Sequence, residues 1–95
     1  MTKWSVGIKT EGDRMIEIEE VVELADAVAI YNGIATGIEQ MGYGAQIVVT
    51  ARTREEAITV GTEIFDKCVA TAGLPRYPIV HAEAISEDED EEYEL

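Results

Sequence analysis

The hydrophobic period of this chain changes four times, and that succession restricts its folding more than any other feature. In "KWSVGIKT", Trp4, Val6 and Ile8 alternate with polar or small residues, the period-two pattern of a half-buried strand. In "IEIEEVVELADAVAIYNG", Ile18, Val21, Val22, Ala25, Val28 and Ala29 recur at helical spacing. Glu17, Glu19 and Glu20 crowd the first turn of that helix, where the macrodipole favours negative charge, and Asn32-Gly33 supplies a left-handed stop. Period two returns with Ile34, Thr36 and Ile38, and again with Ile47, Val49 and Ala51, on either side of "GYG", which predicts a hairpin. "TREEAITVGTEIFDKCVATAGLP" is helical again. Thr53 and Glu56 stand at capping-box spacing, the stripe reads Ala57, Val60, Gly61, Ile64, Cys68 and Ala72, and Gly73-Leu74-Pro75 forms a Schellman stop with Leu74 folding back on Val69. "RYPIVHAEAI" closes as a β-branched, alternating strand that Pro78 confines to its start or to a sheet edge.

The predicted elements are strands near 3–10, 34–41, 45–52 and 78–85 and helices near 18–31 and 54–72. Their order, β-α-β-β-α-β, resembles the ferredoxin-like split βαβ arrangement over residues 3–86. The resemblance is architectural. It implies an α+β fold in which right-handed crossovers place both helices on one face of a four-stranded antiparallel sheet, in the spatial order fourth, first, third, second. Such a fold hosts many unrelated functions, so function has to be sought in particular residues.

The chain has 95 residues, enough for one modest core, and its 46% hydrophobic content is that of a folded protein. Residues 1–86 form the expected domain, with 13 acids and 7 bases; residues 87–95 add 7 acids and no base. The net charge of −13 is thus −6 from the body and −7 from the tail. Either field repels phosphate, which argues against nucleic acid as a ligand. No apolar run approaches the ~20 residues of a membrane span, and "MTKWSVG" lacks the apolar stretch of a signal peptide. Cys68 stands alone, so no internal disulfide and no cysteine metal cluster is expected; it reads as a small buried hydrophobe in a reducing, cytoplasmic setting.

The chemistries that sit on this architecture each require residues that can be sought. RNA readers need aromatic and basic side chains on the exposed face of the central strands. Here those positions are Ser5, Gly7, Lys9, Gln46, Val48 and Thr50. Acyl-phosphate hydrolysis needs an anion cradle after the first strand. Gly12 and Arg14 are present in "TEGDRMIE", but Glu11, Asp13 and Glu17 surround them. His81 and Glu83 share one side of the last strand and can pair, yet no serine or cysteine completes a catalytic set, and no catalytic residue, metal or cofactor is assigned.

Two features remain. The open sheet face is expected to carry Ser5, Gly7, Ala35, Gly37, Gln46, Val48, Thr50, Ile79, His81, Glu83 and Ile85, with charge limited mainly to Lys9, Glu39 and Glu83. Flat, small and neutral, such a face suits sheet-on-sheet packing and predicts a homodimer. The tail, with Glu87, Asp88, Glu89, Asp90, Glu91, Glu92 and Glu94, is expected to stay solvated outside the core, or to dock on a basic protein partner. Seven adjacent carboxylates repel one another. Ordering each residue costs ~1–2 kcal/mol, which Tyr93 and Leu95 alone cannot offset.

Three functions follow as expectations. The first is a non-enzymatic protein that self-associates and acts by binding another protein. The second is an acidic inhibitor whose carboxylates imitate nucleic-acid phosphate. The third is a small-ligand sensor or minor enzyme with a pocket between subunits, near His81.

Overall fold

The structure, a computed structural model, describes residues 2–37 and 41–86. The elements are β1 (Thr2–Thr10), α1 (Ile18–Ala29), β2 (Ile34–Thr36), β3 (Gly44–Ala51), α2 (Arg54–Ala72) and β4 (Ile79–Ser86). They form one four-stranded sheet in the order β2-β3-β1-β4, with every neighbouring pair antiparallel. The layout is ferredoxin-like α+β, with both helices on one side. Ile38 and Glu39, assigned above to a strand and to the open face, lie outside the described residues, as does the acidic tail.

The core is built from the alternation of the central strands. Trp4, Val6, Ile8 and Thr10 of β1 and Ala45, Ile47, Val49 and Ala51 of β3 all point to the helices and are buried. α2 lies directly on β1 because Gly61 has no side chain; a Cβ there would come within 2.7 Å of Val6 Cγ1. Phe65, one turn on, is the largest fully buried side chain. The sequence stripe missed Phe65 and Val69, since it followed the small residues of α2 and not the direction in which the long ones reach.

The helix ends follow their residues. Thr53 Oγ1 accepts from the Glu56 N–H at 3.1 Å. Gly73 takes the left-handed conformation (φ 73°), and the Leu74 N–H donates to Val69 O at 3.2 Å, while buried Leu74 packs into the core. α1 ends at Ala29, and Asn32 of the expected Asn32-Gly33 stop supplies the left-handed residue (φ 56°) just beyond it. Its buried face is Val21, Leu24 and Val28, whereas Ile18, Val22 and Ala29 of the expected stripe are exposed. The apolar arc of α1 is wider than the surface it packs against, so spacing alone did not show which part would be covered.

Replacing Phe65 with Ala should cost about 3–5 kcal/mol of unfolding free energy, because it opens a cavity where α2 meets the sheet. Val22→Ala, at a site 52% exposed, should cost under about 0.5 kcal/mol. Chemical denaturation of the two variants measures both.

Candidate functional site

The face of the sheet opposite the helices brings together most of the residues expected there. Register places Lys9 beside His81, Gly7 between Gln46 and Glu83, Ser5 between Val48 and Ile85, and Lys3 beside Thr50. These side chains alternate with buried ones on all three strands, so they share the uncovered side. Lys3 belongs to this face by the same alternation of β1 that placed Ser5 and Gly7. The Glu83 side chain lies close to Gly7: a Cβ there would be 3.6 Å from Glu83 Cγ. His81 Nε2 and Glu83 Oε2 are 3.5 Å apart, with both side chains well exposed.

Three expected members are elsewhere. Ala35 pairs with Ala45 and packs against the core, so Ile34 and Thr36 take the open side of β2, opposite Gln46 and Gly44. Small residues face inward here because α1 lies on β2; the sequence reading had turned the isoleucine inward instead. Gly37 follows β2 with φ 131° and is buried against the Gly42–Tyr43 backbone, where a Cβ would lie 2.9 Å from Gly42 O. Ile79 turns to the helix side, beside Tyr43, Phe65 and Val69. The cause is a register shift: Lys9 pairs with His81 but Thr10 pairs with Ile79, so Val80 is an extra, bulged residue and is 52% exposed. One inserted residue reverses every side chain beyond it.

Two concavities border the face. A shallow trough of about 230 Å³ lies among Gly7, Lys9, Ile34, Gln46, His81 and Glu83. A larger cleft of about 640 Å³ opens at the strand ends, lined by Lys9, Thr10, Glu11, Met41, Gly42, Val80 and His81. Its wall is held by a polar knot. The Thr10 hydroxyl donates to Tyr43 O at 2.8 Å and accepts from Tyr43 N at 3.1 Å, and the Thr10 N–H donates to the same carbonyl at 2.9 Å. The Tyr43 hydroxyl donates to Pro75 O at 2.6 Å, and its ring lies 5.8 Å from both Phe65 and Tyr77.

The loop after β1 does not form an anion cradle. Arg14 is held by Glu20 through two bonds of 2.8 and 2.7 Å, and Glu20 Oε1 also accepts from the Glu17 N–H at 3.1 Å. The sequence reading assigned the competing carboxylates to Glu11, Asp13 and Glu17; the actual partner is in the first turn of α1. Gly12 lies under the ring of Tyr77, whose hydroxyl donates to Asp13 at 3.2 Å. Burial raises the Tyr77 hydroxyl above its ordinary value, and the Asp13 bond adds to this. Burial likewise raises the Cys68 thiol, which disfavours its reactive thiolate. Among the described residues no group of three or more His, Cys, Asp or Glu gathers to hold a metal ion, and no helix is long and apolar enough to cross a membrane.

Comparisons with protein-family models, curated proteins and solved structures found no match. The functional reading therefore rests on this chain's own residues.

The Arg14 bonds, and after them the Glu17 N–H, lower the Glu20 carboxyl to about 2 from 4.5. A depressed carboxyl stabilises the fold above its unfolded value. That contribution should be complete above about pH 5 and disappear as pH falls from about 4.5 through 2. Carboxyl-carbon NMR should give a Glu20 midpoint near 2 in the native protein, and Arg14→Ala should move it toward the ordinary range.

Proposed function

We propose that this chain is a non-enzymatic module of a reducing, cytoplasmic compartment that pairs with a second copy through its open sheet face and acts by binding another protein. The observation that carries the pairing is the makeup of that face. Val48, Ile85 and Ile34 stand on it 37%, 39% and 66% exposed, around glycine and short neutral side chains. A solvated sheet face ordinarily carries alternating charges. The described part of this one has Lys3, Lys9 and Glu83, with His81 beside them. Three strands of ~25 Å and the ~10 Å of β2, at ~4.8 Å spacing, offer a face on the order of 400 Å² per copy. Two such faces bury on the order of 800 Å² in total, the size of a weak, reversible pair.

The non-enzymatic part of the proposal is supported by what surrounds His81. It is well exposed, its near partner is Glu83, and the one thiol is buried in α2 against Ala27. A second reading, a small-ligand site, is favoured by the position of the 640 Å³ cleft, which touches His81 and is the larger of the two concavities beside the open face. It requires that a small molecule raise the melting temperature of the native chain but not of His81→Ala.

Sedimentation should find a dimer at micromolar concentration. Val48→Asp should make it a monomer with native circular dichroism, since the site is exposed in the isolated chain and buries a charge in the pair. Added salt should tighten the native dimer, because each copy carries a net charge of −13. A native chain that sediments as a monomer at all salt concentrations would overturn the pairing.

A further inference from the structure

α1 carries more apolar surface than the core takes up. Val21, Leu24 and Val28 face the sheet, and Ala27 faces α2, where its carbonyl accepts from Cys68 Sγ at 3.5 Å. Ile18 lies about 180° around the helix from Ala27, and Val22 about 140°, so both stand on the flank turned away from α2. They are 57% and 52% exposed. Ala25, half-buried, and Ala29, exposed, continue the row at i+7 and i+11 from Ile18, which gives an apolar seam roughly 16 Å long. α1 packs on α2 and on β2, the edge strand, and no described element lies beyond it. The seam is therefore at the margin of the molecule.

Charge decides what kind of surface fits there. Glu19 and Asp26 are exposed on the solvent side of the seam, Asp26 also bordering the cleft that Lys67 of α2 lines, and α1 contains no basic residue. Arg14, the base nearest in sequence, is bound to Glu20. A second copy pairing through this seam would set two carboxylates against two more. A helix of another protein with Lys or Arg beside its apolar stripe meets both requirements, because its stripe covers Ile18 and Val22 while its cations face the acids. The alanines at 25 and 29 allow the close approach that helix packing needs.

We propose that the outer flank of α1 is the docking site for a basic amphipathic helix of a partner protein. The proposal rests on the reading that this chain acts by binding another protein, and it names the class of partner and a surface separate from the paired sheet face. Recognition would follow the helix-in-groove mode, with apolar anchors at i, i+3/i+4 and i+7 on the partner.

The test is a titration of the isotope-labelled full chain with a synthetic 18-residue peptide carrying leucine at i, i+3, i+4 and i+7 and lysine elsewhere. A shuffled peptide of the same composition is the control. Saturable amide shifts centred on residues 18, 22, 25 and 29 are expected, with the shuffled peptide at least tenfold weaker. The double variant Ile18→Ser, Val22→Ser should keep its native circular dichroism and its dimer mass and lose at least tenfold in peptide affinity. Val48→Asp should bind the peptide as the native chain does. Shifts centred on residues 87–95 or on the sheet face would overturn the site while leaving a protein-binding role in place. Equal binding of both peptides, or none, would overturn the site as well. Loss of the dimer in the Ile18, Val22 variant would show that the seam joins two copies, and the proposal would be wrong.

Discussion

Everything in the helix layer depends on how closely α2 approaches β1. At Gly61 the helix backbone rests on Val6 with no room for a Cβ, and this contact brings the long axis of α2 over the central strands. Phe65 then fills the space beneath the following turn, and Cys68 and Val69 close the layer. α1, packed beside α2, lies over the edge strand β2, where only small residues fit beneath it: Ala35 against Ala45. One face of the sheet is thereby sealed. The other receives none of the described elements, and that asymmetry underlies the proposed pairing.

A second constraint organises the end of the sheet. Tyr43 joins four parts of the chain: its backbone holds Thr10, its hydroxyl holds Pro75, and its ring lies against Phe65 and Tyr77. Buried polar atoms are costly unless paired, and here each finds a partner: no described buried side-chain nitrogen or oxygen lacks one. The register shift falls between Lys9 and Thr10, the residue the knot holds, and Val80 bulges outward at the cleft beside His81. The knot ties the end of the sheet together and contributes Thr10 to the cleft.

Much of this was legible in the sequence for a definite reason. Alternation in "KWSVGIKT" and around Ile47 and Val49 has one solution once a face is apolar, and the capping residues Thr53 and Gly73 mark the ends of α2. The order of the strands followed from right-handed crossovers. What failed was information that no local period holds. The bulge at Val80 is set in the pairing of β4 with β1, about 70 residues away in the chain, where Lys9 faces His81 and Thr10 faces Ile79. The inward turn of Ala35 depends on α1 above it. The burial of Leu24 in place of Ile18 depends on where the sheet ends. The site changed accordingly: Ala35, Gly37 and Ile79 left the open face, and Ile34, Thr36 and Lys3 joined it.

The open face also gives the account its most direct test. Its central claim is that two copies meet there, sheet against sheet. A sample mixing isotope-labelled and unlabelled chains, measured by isotope-filtered NOE spectroscopy, reports contacts between copies and nothing else. The account predicts intermolecular contacts from the methyl groups of Ile34, Val48 and Ile85, and none from Ile18 or Val22. Contacts from Ile18 and Val22 with silence on the sheet face would contradict it.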